Sequence, residues 1–365
     1  MSDNRRRYRA IHAALKGFYP CEPKGNVARR LNTLAGLVSG IVGSSCAHLP
    51  KIAKKVPDNT KKESRVKRFS RWIDNERIEY SCYYLPYVEG LLDSLAHQPL
   101  LLAMDGSEMG RKCMTLMVSV IYKRRALPIA WIVVQGSSGH FAEETHVALI
   151  ERVQAIVPEG CDVIFLGDGE FDGTTLQATL TAYGWEYVCR TAKNAQVCDQ
   201  DDQFSLHEVD VQPGCCIGLY DVSLTHQAYG PVLAIAWWKA ECPDPIYLVT
   251  NMVLVDEACY WYEKRFRIET FFSDQKSRGF NMQKSHISNP ERLSRLMIAA
   301  CLAYIWIIYL GVLAKRDGWV KIVHRTDRCD LSLFQLGLDL LEHFMNEHLF
   351  IPVAFQMPIP AQSVR

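Results

Sequence analysis

A mixed α/β sheet behind a helical, cation-rich head is the fold class predicted, and three observations predict it. Apolar residues recur at helical intervals through residues 1–98 and give way at Pro99 to continuous apolar runs of strand length. Beyond Pro99, strand-like and helix-like runs alternate, the order expected of a mixed sheet with helical connections. The charge is also divided. Residues 1–98 hold 18 Lys+Arg against 9 Asp+Glu and leave 23 against 31 for the rest, although the whole chain carries a formal charge of only +1. A basic head on an acidic body suits a polyanion-binding module joined to a part that keeps carboxylates of its own.

The elements follow in order. In the head, VARRLNTLAGLVSGIVGSS opens as a helix after Asn26, CAHLPKIAKKV reads as a short second one, and PDNTKKES breaks the pattern. RVKRFSRWIDN then resumes it, with Arg65, Lys67, Arg68 and Arg71 grouped around Phe69 and Trp72. Short helices with tight breaks and a cation-rich last member are compatible with a helix-turn-helix type of DNA reader. From Pro99, PLLLAMDGSEM reads as an apolar strand ending in Asp105, and the next stretch as two strands joined by a turn around 123–126. Residues 142–156 form an amphipathic helix, VIFL a buried strand followed at once by Gly167-Asp168, TTLQATLTAYG a helix and WEYVCR a strand. KNAQVCDQDDQFSLHEVD is irregular and acidic, and CCIGLYDVSL, GPVLAIAWWKA and PIYLVTNMVLV are short strands of an all-β insertion. The tail, from Leu331, is an amphipathic helix followed by an apolar arm. The segments expected are therefore a head at 1–98, a sheet domain in two parts at 99–190 and 252–330, an insertion at 191–251 and a tail at 331–365.

Composition excludes several classes. With 22% charged and 48% hydrophobic residues the chain is an ordinary globular protein. Its thirteen cysteines form no C-x-x-C pair, so neither a zinc module nor a disulfide framework is expected, and reduced thiols in a cytosol are. The first residues hold no apolar signal core, so no secretion is expected and a cytoplasmic location is. No Walker loop, GxGxxG or GxSxG motif supports nucleotide or serine-hydrolase chemistry. The run from Leu296 to Ala314 is 19 residues long, uncharged and long enough to span a membrane. Lying close behind a highly charged segment, it is predicted to be a central buried helix, with no membrane partner.

Two acids stand out by position. Asp105 follows LLLAM and Asp168 follows VIFLG, and a carboxylate finishing a buried strand projects at the ligand-binding edge of such a sheet. Asp172, before GTTL, fits a helix cap or turn former better, and Asp162 precedes its strand and so lies at the wrong end. A third acid sits in YEKRFRIETFFSDQK. If that stretch is one helix, Tyr262, Arg265, Glu269 and Lys276 share a face within about 60° of one another. One carboxylate among two cations and a phenol suits a phosphate backbone with a metal near its middle.

The spacing of Tyr262, Arg265, Glu269 and Lys276 resembles the tyrosine-arginine-glutamate-lysine signature of bacterial insertion-sequence transposases of the DDE type. The resemblance implies a ribonuclease H-like sheet, with Asp105, Asp168 and Glu269 as the catalytic triad. It further implies two Mg²⁺ or Mn²⁺ ions held by those three carboxylates, oxygen ligands that suit hard cations. Arg265, Lys276 and Tyr262 would hold phosphates, and Arg278 and Lys284 would add backbone contacts. Trp237, Trp238 or Tyr247 of the insertion would stack on a base flipped from the DNA end. The partners implied are double-stranded element ends and target DNA, bound by a dimer assembled on paired ends. DGEFDG lacks the basic residue that relatives often place after the second acid. A nuclease without strand transfer and a domesticated DNA-binding regulator are the alternative readings.

Overall fold

In the computed structural model, which describes residues 2–136, 139–200, 202–225, 227–325 and 328–358, the helical periodicity of the head becomes α1 (Asp3–Gly17), α2 (Gly25–Ser44), α3 (Leu49–Lys54), α4 (Lys62–Asp74), α5 (Tyr80–Tyr83) and α6 (Leu85–Leu95). The apolar runs after Pro99 become β1 (Leu100–Gly110), β2 (Cys113–Tyr122) and β3 (Arg125–Gln135). α7 (Glu143–Gln154), β4 (Val163–Gly167), α8 (Thr174–Ala182) and β5 (Glu186–Thr191) follow. The acidic stretch predicted to be irregular is instead a hairpin of β6 (Gln196–Asp199) and β7 (Asp202–Ser205), paired antiparallel with Val197 opposite Phe204. β8 (Cys216–Leu224), β9 (Tyr229–Trp237) and β10 (Ile246–Thr250) complete the insertion.

Among the described residues these strands form one sheet in the order β3-β2-β1-β4-β5-β10-β9-β8-β6-β7. β4 pairs parallel with both β1 and β5, and the remaining neighbours are antiparallel. The insertion is thus a continuation of the sheet beyond β5, which it gains by pairing Tyr247–Thr250 of β10 with Val188–Thr191. The remaining elements are α9 (Val255–Tyr262), α10 (Arg267–Gln275), α11 (Pro290–Arg316), α12 (Val320–Val323) and α13 (Leu333–Asn346).

Two neighbouring residues of β1 show how the sheet is covered. A side chain at Gly106 would meet the Phe141 ring just before α7, whereas the Ser107 hydroxyl accepts from Lys276 Nζ at the end of α10. Adjacent strand residues face opposite ways, so α7 and α10 lie on opposite faces, and Asp105 shares the α10 face with Ser107.

The apolar run at Leu296–Ala314 is the centre of α11. It meets the length and hydropathy test for a membrane span, but 94% of its most apolar window is buried inside the protein. α13 crosses it closely: a Cβ on Gly311 would sit 1.9 Å from the Leu333 carbonyl oxygen, and one on Gly337 1.9 Å from that of Ile307. β3 and α2 cover other sides, with Trp131 Nε1 donating to Ser294 Oγ at 2.9 Å.

The head and tail join the same core. Buried Arg7 of α1 donates to the Ser39 carbonyl at 3.0 Å, and Arg6 to the Met345 carbonyl at 2.8 Å. The arm after α13 buries Ile351, Phe355 and Met357 without forming a strand. Residues 359–365 of the expected tail segment lie outside the described residues.

Candidate active site

Asp105 is not the last residue of its strand: β1 runs on to Gly110, paired with β2. What ends near Asp105 is the pairing with β4, whose last register is Ala103 with Leu166. The acid therefore stands where the sheet opens beside the end of β4. Asp168 follows β4 directly, in a tight turn where its Oδ1 accepts from Glu170 N at 3.0 Å and its carbonyl from Phe171 N at 3.0 Å. Gly167 allows that turn, since a Cβ there would lie 2.7 Å from Phe171 Cβ and 3.1 Å from Cys189 Sγ.

The single helix expected from Tyr262 to Lys276 is broken. Tyr262 ends α9, Glu263–Phe266 is a tight turn, Glu269 lies in the first turn of α10, and Lys276 caps its end. The intervening amides bond three residues back: Lys264 to Trp261, Arg265 to Tyr262, Arg267 to Lys264, Ile268 to Arg265 and Glu269 to Phe266. Such 3₁₀ geometry turns more per residue than an α-helix, so the shared face assumed for one continuous helix does not hold.

Arg265, Glu269 and Lys276 still lie near Asp105, and Tyr262 lies beside Arg265. The Arg265 guanidinium lies 3.2 Å from Glu269 Oε1, 3.9 Å from Asp168 Oδ2 and 6.0 Å from the Tyr262 ring centre. Its burial alone would lower its pKa, but Tyr262, Asp168, Asp105 and Glu269 outweigh this and raise it. Burial first, then Asp168, push Asp105 up from 3.8 to about 7, while the Gly106 amide and Arg265 oppose the rise. Lys276 donates to Ser107 Oγ at 2.6 Å, and burial lowers its pKa against the pull of Glu108 and Asp105. Tyr262 is buried, which raises its phenol, with Arg265 and Arg190 acting the other way.

Asp168 and Glu269 thus flank the Arg265 cation, with Asp105 near enough to feel all three charges, and carboxylate oxygens are donors that suit hard divalent ions. The like-charge repulsion felt by Asp105 is the kind such an ion relieves. The set is not closed, however: among the described residues no three His, Cys, Asp or Glu side chains come together as a metal cage, and Arg265 lies between Asp168 and Glu269.

Other acids serve the fold. Asp172 accepts from Thr191 Oγ1 at 2.6 Å, Glu108 from Lys112 N at 3.0 Å, and the Asp162 carbonyl from Leu100 N at the far end of β4. Sequence reasoning missed Glu170, which ties the Asp168 turn to the segment before α7 by accepting from Phe141 N at 2.6 Å and facing His146 at 3.5 Å. Its place two residues after Asp168 was the available signal.

The remaining residues divide by position. Beside Asp168, an open groove of ≈ 610 Å³ is lined by Arg190, Lys193, Asp244, Tyr247 and Arg265. Trp237 and Trp238 are outside that lining. Lys239 Nζ lies 4.6 Å from the Trp237 ring centre, and Trp238 Nε1 donates to the Cys242 carbonyl at 3.0 Å. Arg278 and Lys284 are exposed on the segment between α10 and α11, which meets the head where Ala47 N donates to the Phe280 carbonyl at 2.8 Å. In α4, Arg65 donates to the Val56 carbonyl and Arg68 pairs with Asp58, both at 2.6 Å, whereas Lys67 and Arg71 are exposed. Two of the four expected DNA contacts in the head are therefore engaged in holding α4 against the preceding loop.

Residues 98–306, more than half of the chain, match the family model of the transposase DDE domain. The chain belongs to that family of transposases. Among solved structures it has a loose likeness to the cryo-EM structure of a piggyBac transposase synaptic complex with hairpin DNA, at a TM-score of 0.45 and 13% identity over 99% of this chain and 84% of that one. No curated protein matches the sequence.

Proposed function

We propose that this protein binds the terminal inverted repeats of a mobile element, hydrolyses a phosphodiester at each end and joins the freed 3′ ends to target DNA. The observation that carries the reading is the convergence of Asp105, Asp168 and Glu269 on Arg265, in a chain of the DDE family. The strand order β3-β2-β1-β4-β5, with β4 parallel to both neighbours, supports a ribonuclease H-like sheet. The spacing from Tyr262 to Lys276 favours an insertion-sequence enzyme, working on DNA in the cytoplasm as a dimer on paired ends.

Asp105, Asp168 and Glu269 are the residues that would hold two Mg²⁺ or Mn²⁺ ions. When bound, such ions stabilise charge on the entering and leaving oxygens of an in-line displacement. The chain's own groups do the rest. Arg265 supplies charge-assisted bonds to a phosphate, for which its fork geometry is suited. Lys276, held by Ser107, adds a point charge, and Tyr262 orients the Arg265 fork. Arg190 and Lys193 take the place of the basic residue missing from DGEFDG. Of the three candidate aromatics, Tyr247 is the one that lines a groove with Asp168 and Arg265, but its side chain is buried there and would have to turn outward to stack on an extruded base.

The test is a pair of assays with element-end duplexes and Mg²⁺. Nicking at the end, followed by joining of a pre-cut end to plasmid, is expected. Nicking without joining would reduce the protein to a nuclease, and absence of both would overturn the reading.

A further inference from the structure

A second cationic site lies away from the carboxylates. Arg267 and Thr270 project from α10 roughly 200° and 100° around its axis from Glu269, and they line a cleft of ≈ 520 Å³ with Lys123 and Arg124 of the β2–β3 turn and Arg125 at the start of β3. Lys315 at the end of α11 and the segment Cys329–Leu333 leading into α13 close it.

Five cations line this cleft against one acid, and the ion pairs do not cancel them. Arg125 is spent on buried Asp274 at 2.7 Å. Asp330, the one anion, already faces His324 at 2.7 Å and Arg328 at 3.4 Å. Among the described residues, Lys123, Arg124, Arg267 and Lys315 make no ion pair; Lys123 and Arg267 rest instead near the Tyr122 and Phe266 rings, at 5.1 and 4.5 Å. The cations also feel one another. Burial and then Arg124 and Arg125 lower the pKa of Arg267, and burial and then Lys315 lower that of Lys123. Like charges gathered from three separate elements without counter-charge raise the local positive potential and favour an anion from outside.

We infer that this cleft holds backbone phosphates of a stretch of duplex DNA other than the one held against the carboxylates. The inference rests on the DNA-handling reading above. Its geometry is what separates the two stretches: α10 stands between cleft and carboxylates, so DNA that also reached the cleft would have to pass around that helix.

The experiment uses the full chain and a duplex of arbitrary sequence, with binding followed by fluorescence anisotropy across a salt series. The substitutions Lys123→Ala, Arg124→Ala and Lys315→Ala are made together, all at exposed positions. Each lost phosphate contact should reduce the slope of log affinity against log salt by about 0.9, so a fall of roughly 2 to 3 is expected. The charge-conserving set Lys123→Arg, Arg124→Lys and Lys315→Arg should keep the wild-type slope. An unchanged slope in the alanine variant overturns the inference, as does tight binding of inorganic phosphate that the alanine variant loses while its DNA slope stays that of wild type. The proposed function fails separately: wild-type protein without Mg²⁺-dependent cleavage would defeat the transposition reading whatever the cleft does.

Discussion

Asp105, Asp168 and Glu269 differ in environment although they are assigned one task. Asp168 is fixed by its turn, Glu269 is largely exposed, and Asp105 is half-buried and raised to about 7 by burial and Asp168. Alanine at any one of the three should abolish nicking, a loss of at least about 100-fold, while end binding changes only a few-fold; an Asp168→Ala protein that nicks normally would remove that residue from the triad. The raised pKa of Asp105 has a definite sign. The folded protein retains a proton there that the unfolded chain releases near 3.8, so the group's stabilisation is complete below about pH 4 and is lost as pH rises through about 7. In divalent-free buffer, wild type should therefore lose thermal stability relative to Asp105→Asn across that window, with little further change above it. Parallel melting curves for the two proteins would contradict this. The sequence showed all three acids through their neighbours, apolar runs for two and the signature spacing for the third. Arg190, Lys193 and Glu170 were not legible, because their relation to Asp168 arises from strand pairing and loop packing.

At the scale of elements, helices and strands followed the periods of apolar residues almost throughout, and the departures have local causes. The stretch Glu263–Phe266 tightens into 3₁₀ turns where α9 gives way to α10, which redirects Arg265 toward Asp168 and Glu269. β6 and β7 emerge from an acidic segment with little apolar alternation, because β6 is hydrogen-bonded to β8 on one side and to β7 on the other. The crossing of α11 and α13 depends on two glycines that periodicity does not single out. Gly337→Ala would place a methyl 1.9 Å from the Ile307 carbonyl oxygen, which backbone movement alone can relieve. It should cost about 1–3 kcal/mol or more and lower the melting temperature; a variant as stable as wild type would mean the two helices are not packed so closely.

On the scale of the whole molecule, head, sheet and tail share one continuous core. Deleting residues 1–98 would strip α2 from α11 and expose apolar surface, so truncation is a poor test of DNA binding by the head. Lys67→Ala with Arg71→Ala is the better one: both are exposed, and if α4 contacts DNA the salt slope should fall by about 2. Equal slopes would assign the head a structural role. The buried centre of α11 gives a second expectation. Ile307 is fully buried, so Ile307→Asp should cost several kcal/mol and leave the protein poorly folded, while the wild type should fractionate without detergent. Membrane pelleting that survives nuclease and high salt would reverse the assignment of that helix.

The sequence by itself determined the periods of apolar residues, the basic head, the acids at the end of β4 and on α10, and the alternation that makes a mixed sheet. Each depends on residues close together in the chain, where geometry is set by a few bonds. The tertiary structure decided what lies far apart in sequence. It joined the insertion to the sheet through β10, engaged Arg65 and Arg68 in internal bonds, and collected Lys123, Arg124, Arg267 and Lys315 into one cleft. Those outcomes follow from burying α11 and covering both sheet faces at once, a constraint of packing that no local spacing records.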